Sequence, residues 1–152
     1  MFKYQKVSED VEEKFESVRN QTAIPQWVEI QIMSYDKLKQ ISKTVKMSDL
    51  VEAITEGINF VVVINEKIFD QLDDQQQTMV LEEALAGIRI SDRDALSLET
   101  PDFNTYTGFL EKYGNIVITL KESIKTLFEV EKQKEEEEKA ATKTKRSKKG
   151  GE

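Results

Sequence analysis

Residues 60–64 read Phe-Val-Val-Val-Ile, which is the longest apolar run in the chain. A continuous β-branched run of this length is typical of a strand that is covered on both faces. Further along, Asp73 or Asp74 can cap a helix that continues to about Ala86. A buried strand followed by such a helix predicts an α+β fold, in which helices pack on a small sheet.

The rest of the chain predicts further helices and strands through its apolar periodicity and its capping residues. A first helix is indicated from about residue 8 to 20. Val28, Ile30 and Ile32 then alternate with polar residues, as in a strand with one wet face. The other expected elements are short helices from Asp36 and from Ser48, the second with Val51 and Ile54 inward, a loop over 90–99, a helix from Thr100 to Gly114, a short strand through Ile116, Ile118 and Leu120, and a last helix from Ile124.

The chain has 152 residues and contains no histidine and no cysteine. Thiolate and imidazole are the usual ligands of catalytic zinc, and imidazole is the usual general base near neutral pH. The composition therefore removes the commonest routes to hydrolysis. The lack of cysteine also fits a reducing compartment, and the longest apolar run is too short to span a bilayer. We expect a cytoplasmic protein without a cofactor and without a membrane partner.

Charge is distributed unevenly along the chain. Residues 131–152 hold eight basic and six acidic residues, whereas residues 1–130 hold 14 basic and 23 acidic residues, so the two parts carry net charges of +2 and −9. Beyond residue 131 apolar residues almost disappear, and such a segment cannot bury enough surface to offset its ordering entropy. We expect one domain over 1–130 and a low-complexity, charged tail over 131–152 that is frayed helix and then disordered.

Five segments between Trp27 and Gly114 follow one another in an order and spacing that point to a known family. They are Asn59-Phe-Val-Val-Val-Ile64, Asp70-Gln-Leu-Asp-Asp-Gln-Gln-Gln77, Leu81-Glu-Glu-Ala-Leu-Ala86, Pro101-Asp102-Phe103 and Leu110-Glu-Lys-Tyr-Gly114. Together they resemble the putative phage metallopeptidase family, which is zincin-like and similar to the SprT-like peptidases. The resemblance implies a zincin-like fold, a bacteriophage or prophage source, and the cytoplasm of a bacterial host.

The resemblance also implies where the chemistry of the family would lie. The first zinc histidine corresponds to Glu82, the catalytic glutamate to Glu83, and the second histidine to Ala86. The third histidine, which precedes an aspartate, corresponds to Pro101, followed by Asp102. All three imidazoles are therefore missing, and a glutamate without a metal-bound water has no advantage as a base. These five residues would form a vestigial site that has neither a catalytic residue nor a metal ligand.

One alternative is a cryptic hydrolase, in which Glu82 and Glu83 hold Mg²⁺ or Ca²⁺ through oxygen ligands. The further carboxylates available to such a site are Asp92, Asp94 and Asp102. Adjacent helix residues point about 100° apart, so Glu82 and Glu83 do not naturally chelate one ion. We favour the simpler interpretation, in which Glu83 lies on a partly exposed acidic helix face.

The basic end of the tail indicates a second alternative, a factor associated with nucleic acid. Five positive charges fall within seven residues: Lys143, Lys145, Arg146, Lys148 and Lys149. Five phosphate contacts would give weak, salt-sensitive binding. No aromatic residue is interleaved to stack on bases, so a solubilising tail is the simpler interpretation.

The function that we expect is non-enzymatic. A metallopeptidase-like scaffold that has lost its metal would bind a host or phage protein and act as a regulator or inhibitor. An extended peptide can add to the edge strand of such a sheet. We expect Val28, Ile30 and Ile32 to form this edge.

Overall fold

The computed structural model describes residues 3–99 and 107–149. Within these residues the strands are β1 (Gln5–Lys6), β2 (Ile30–Ser34), β3 (Ser42–Lys46), β4 (Phe60–Ile64), β5 (Ile88–Ile90) and β6 (Leu96–Leu98). The larger sheet has the order β1-β2-β4-β3, and β5 and β6 form a separate two-stranded sheet. β2 and β4 are parallel, whereas β1 pairs antiparallel with β2 and β3 pairs antiparallel with β4.

Helices lie between and after these strands along the chain. In the described residues they are α1 (Glu9–Gln21), α2 (Asp49–Ile54), α3 (Glu66–Phe69), α4 (Asp74–Leu85), α5 (Thr107–Tyr113) and α6 (Asn115–Lys149). Helix α4 contacts both β3 and α1. The predicted α+β class is confirmed.

Capping residues fix where three of the helices begin, as the sequence indicates. The side chains of Ser8 and Ser48 accept hydrogen bonds from backbone amides in the first turns of α1 and α2. Asp73 forms a capping box with Gln76, in which each side chain accepts from the backbone amide of the other. Each such cap stabilises its helix by about 1 kcal/mol.

Strand β4 lies in the middle of the core. Phe60, Val62 and Ile64 are fully buried on one face, while on the other face Val63 is buried and Val61 is partly exposed. The prediction of a strand covered on both faces is confirmed except at Val61. The helical residues of the same core include Phe15 and Val18 of α1 and Met79, Leu81 and Leu85 of α4.

The strand that was expected to form an exposed edge is covered on its outer side at its C-terminal end only. β2 pairs with β4 on one side and with β1 on the other, and Val28, just before it, is fully buried. β1 pairs only with Met33 and Ser34, so within the described residues no strand pairs with the outer side of β2 before Met33, and peptide binding along Val28, Ile30 and Ile32 stays a prediction. Alternation of apolar and polar residues shows that one face of a strand is wet, but it carries no information on which strands lie beside it.

Two short segments become strands because a partner strand lies beside them. The expected helix from Asp36 is wrong, since residues 36 and 37 form a turn and β3 follows. The expected loop over 90–99 is also wrong, because β5 and β6 pair across a tight turn. Strand formation depends on cross-strand partners more than on local preference, so the local sequence does not predict either strand.

The expected strand from Ile116 to Leu120 is wrong, because these residues belong to α6. Val117, Leu120 and Ile124 are buried, whereas Ile116 and Ile118 are exposed. The buried residues are spaced three and four positions apart, as on one face of a helix. The prediction instead used the two-residue period of a strand, which Ile116, Ile118 and Leu120 also fit.

The sequence predicts where α2 and α5 begin or end better than it predicts which of their residues are buried. Gly114, with a φ of +58°, separates α5 from α6, as expected for a glycine that ends a helix. The expected start at Thr100 lies outside the described residues. α2 begins after Ser48 as predicted, but Ile54, which was expected to point inward, is 71% exposed.

The C-terminal part of α6 extends away from the core. Its backbone is helical to Lys149, and all side chains from 132 to 142 are exposed. This agrees with the expectation of a charged tail outside the core. Among the helices of the described residues, none is long and apolar enough to cross a membrane.

Candidate functional site

Helix α4 presents Glu82 and Ala86 on one face, because residues four apart lie one turn apart. Both line a hollow of about 320 Å³ between the C-terminal ends of α1 and α4 and the side of α5. An adjoining hollow of about 360 Å³ also contains Glu82 and Ala86 and extends toward β5. We call the two hollows together the α4 cleft. It contains Glu82 and Ala86, where the family resemblance places the first two zinc histidines.

In the α4 cleft the carboxylate of Glu82 is engaged by α5. Lys112 Nζ lies 3.0 Å from Glu82 Oε2, and the Tyr113 hydroxyl donates to the same oxygen at 2.7 Å. Only 16% of the Glu82 side chain is exposed, compared with 60% of the Lys112 side chain. An ammonium and a phenol from the chain itself therefore hold the position of the first zinc ligand.

Both donors keep their protons near neutral pH. The hydrogen bond to Glu82 raises the pKa of Lys112 above its usual value. Burial raises the pKa of Tyr113, and its hydrogen bond to Glu82 adds to the rise. A nucleophile or a general base needs a free lone pair at the working pH, so neither group suits that role.

Glu83, which corresponds to the catalytic glutamate, engages a different helix. Its Oε1 lies 2.5 Å from Nζ of Lys121 in α6. Glu82 and Glu83 thus meet different ammonium groups on different helices, as expected for carboxylates about 100° apart around one axis. The acidic face expected on α4 is neutralised by cations from the C-terminal helices.

Arg89 closes the end of α4 beside Ala86. Its Nη1 donates to the carbonyl oxygen of Ala86 at 2.5 Å, and its Nε lies 2.7 Å from Glu99 Oε2. A cation is favoured at a helix C-terminus, where unpaired carbonyl groups and the helix dipole concentrate negative charge. Arg89 therefore places a second cation in the α4 cleft.

The cations and the hydroxyl group that surround α4 were not predicted from the sequence. They are Arg89, Lys112, Tyr113 and Lys121. Lys112 and Tyr113 belong to a segment that was quoted for the family resemblance, but no signal in the sequence pairs them with Glu82. These contacts join residues about 30 or more positions apart, except for Arg89, whose contact with Ala86 is local.

The side chains at the zinc positions do not fit a zinc ion. Ala86 has no donor atom, and the carboxylate of Glu82 is already engaged by α5. Pro101 and Asp102 lie outside the described residues, but a proline side chain has no metal-ligating atom in any conformation. In the part of the chain that the structure describes, no group of three or more His, Cys, Asp or Glu is placed to hold a metal ion.

β3 is one of the two edge strands of the larger sheet, and the other, β1, is only two residues long. A backbone hydrogen bond from Met47 to Asn59 continues the β3–β4 ladder by one pair. Hydrogen-bonded pairs alternate along an antiparallel ladder, so the odd-numbered residues of β3 bond to β4. Ser42, Thr44 and Lys46 therefore direct their backbone N–H and C=O groups outward. Within the described residues no strand pairs with this side of β3, although β6 lies close to it.

Thr44 ties this edge to the helix of the vestigial site. Its hydroxyl donates to the carbonyl oxygen of Ala84 in α4 at 2.6 Å. The edge is five residues long, which corresponds to about 17 Å of extended chain. It is thus a short, fixed template for an extended peptide.

The five tail cations fall in the last turns of α6, and their side chains lie outside what the structure describes. Nucleic-acid binding by Lys143, Lys145, Arg146, Lys148 and Lys149 stays a prediction.

Comparison with known proteins gave one match. A family model described as "Putative phage metallopeptidase" matches residues 3–131, a range that includes α4, its cleft and β3. No curated protein and no solved structure matches the chain.

Proposed function

The chain belongs to the putative phage metallopeptidase family, and we propose that it acts without metal catalysis, by binding an extended segment of another protein along β3. The partner is a host or phage protein in the cytoplasm of the bacterial host. The bound partner is regulated or inhibited by this contact.

The side chains of the vestigial site support a non-catalytic role. Glu82 and Glu83 are each engaged by a lysine from a C-terminal helix, and Ala86 stands where the second imidazole would be. Catalysis by a zinc peptidase requires an open metal position with a bound water beside a free glutamate. The chain supplies neither the imidazoles nor a free glutamate on this face of α4.

The observation that carries the binding proposal is the open edge of β3. Ser42, Thr44 and Lys46 direct backbone donors and acceptors outward, and an unpaired edge of this kind is a template for another strand. Main-chain hydrogen bonds along such an edge give affinity, and the flanking side chains give specificity. Because β4 and the Thr44–Ala84 hydrogen bond already fix β3, this side loses little freedom on binding.

The experiment that tests the binding site uses Ser42→Pro, with Ser42→Ala as its matched control. Proline removes one outward N–H and leaves the β3–β4 ladder complete, which edge strands tolerate. Tagged protein would be used to capture partners from infected cells, and a stoichiometric partner would be identified by mass spectrometry. We expect capture by the wild type and Ser42→Ala, and loss of capture by Ser42→Pro at an unchanged melting temperature.

Equal capture by all three proteins would place the partner elsewhere on the surface. A separate measurement tests the absence of catalysis: purified protein is assayed for bound zinc and for cleavage of peptides. Tightly bound zinc together with peptide cleavage that Glu83→Gln abolishes would overturn the proposal.

A further inference from the structure

The β3 region is the basic part of an otherwise acidic domain. Residues 37–47 contain four lysines and no acidic residue. The remaining residues up to 130 contain ten basic and 23 acidic residues. The charge of the open edge is therefore opposite to that of the body around it.

Two of these lysines flank the open edge directly. Lys43 and Lys46 are exposed, and no ion pair within the described residues engages either of them. Lys46 shares the face of Thr44, which meets α4, while Lys43 lies on the other face of the strand. A peptide that pairs with β3 would meet one lysine on each of its faces, about 10 Å apart along its length.

The other two lysines lie at the start of this region and are differently placed. Lys37 and Lys39 line a hollow together with Glu131 and Glu135 of α6. This end of the basic stretch therefore faces the start of the tail, where Glu131 is paired with Lys67. Lys43 and Lys46 do not line this hollow, and both are exposed beside the edge.

We propose that the segment bound along β3 is acidic, with two carboxylate side chains three positions apart. The inference rests on the function proposed above and names the chemistry of its partner. Opposite charges stabilise a cross-strand pair, and like charges destabilise it. The two lysines therefore favour an acidic strand and reject a basic one.

Charge and backbone groups together disfavour two other occupants of the edge. A second copy of this chain would bring a second strand with two lysines and no acidic residue to the edge, if the copies paired through β3. A nucleic acid would meet the lysines but would leave the outward N–H and C=O groups of Ser42 and Thr44 without a strand partner. An acidic polypeptide satisfies both the charge and the backbone groups.

Selection from a random-peptide display library on the full-length protein tests the proposal. We expect the wild type to select peptides with Asp or Glu at positions three apart, and Ser42→Pro to lose them. The variant Lys43→Glu/Lys46→Glu should bind the selected peptides roughly tenfold more weakly and should select basic peptides instead. The matched control is Lys125→Glu/Lys139→Glu, which makes the same charge change on exposed positions of α6 and should bind as the wild type does.

The outcomes separate the inference from the function on which it rests. Selected peptides that depend on Ser42 but show no acidic preference would overturn the inference and leave strand binding intact. A library that yields no binding peptide would overturn both. Displacement of the acidic peptides by a single-stranded oligonucleotide, with equal loss in Lys43→Glu/Lys46→Glu, would assign the lysines to nucleic acid instead.

Discussion

Glu82 receives hydrogen bonds from two donors of α5 that differ in exposure, and this difference predicts two unequal coupling energies. The perturbations are Glu82→Ala, Tyr113→Phe and Lys112→Met, each made alone and in pairs with Glu82→Ala. Tyr113→Phe removes only the hydroxyl group. Lys112→Met removes the charge and keeps most of the apolar side chain. Each pair forms a double-mutant cycle, which isolates the interaction with Glu82.

The magnitudes follow from the geometry. The Tyr113 hydroxyl donates at 2.7 Å to a carboxylate whose side chain is 16% exposed. A buried hydrogen bond to a charged group contributes about 1.5–3 kcal/mol. The Lys112 side chain is 60% exposed, so solvent screens its ion pair to about 0.2–1 kcal/mol. We expect a coupling energy of about 2 kcal/mol for Tyr113 with Glu82 and about 0.5 kcal/mol for Lys112 with Glu82.

The coupling energies would be measured by urea denaturation at neutral pH. The dependence of the unfolding free energy on urea concentration should be the same for all variants, so that differences in midpoint report differences in stability. Lys121→Met combined with Glu82→Ala provides the control, because Lys121 pairs with Glu83 and should show almost no coupling to Glu82. A Lys112 coupling as large as that of Tyr113 would refute the reasoning from exposure. Two couplings near zero would show that α5 does not hold Glu82.

Three further predictions concern α4 and the attachment of α6. Leu81→Ala truncates a fully buried side chain and should lower the free energy of unfolding by about 2–5 kcal/mol, measured by urea denaturation; a loss below about 1 kcal/mol would contradict its place in the core. Glu82→His/Ala86→His places two imidazoles one turn apart in the α4 cleft, where they can bind zinc. Zinc at about 100 times its dissociation constant should raise the free energy of unfolding of this variant by about 2.7 kcal/mol. Zinc should leave the free energy of unfolding of the wild type unchanged. The hydrogen bond from Lys67 lowers the pKa of Glu131, so this pair should stabilise the fold fully above the ordinary carboxyl pKa of 4.5 and lose its effect as the pH falls through the lower, folded value. Thermal melting across pH should therefore show an advantage of the wild type over Glu131→Gln that disappears in acid, and a constant difference down to pH values well below the carboxyl range would contradict the pairing.

Elements whose signals are local were predicted correctly. β4 is a run of β-branched residues, and the starts of α1, α2 and α4 have capping side chains that bond within their own first turn. These signals depend on residues three or four positions apart, so a single sequence contains them in full.

Elements that exist through distant pairing were missed or misplaced. β3 pairs with β4, and β1 pairs with the last two residues of β2, and both pairings join segments that are far apart in the chain. The edge strand β3 was therefore not predicted from the sequence. The binding surface that we propose on β3, with Lys43 and Lys46, was missed for the same reason.

The vestigial site likewise has features that the sequence predicts and features that depend on distant contacts. The sequence indicates that the imidazoles are missing from α4, because residue identity alone decides which ligands exist. It does not indicate that Lys112 and Tyr113 converge on Glu82 while Lys121 takes Glu83, since those contacts form only when α5 and α6 pack on α4.

By itself the sequence determined the chemistry that is available, namely no imidazole or thiolate, an acidic body, and the helices and strands whose signals lie within a few residues. Only the tertiary structure decided which strand has an open edge and which cations neutralise the two glutamates. The reason is that edges and ion pairs depend on the positions of groups far apart in the chain, and packing of the whole domain sets those positions.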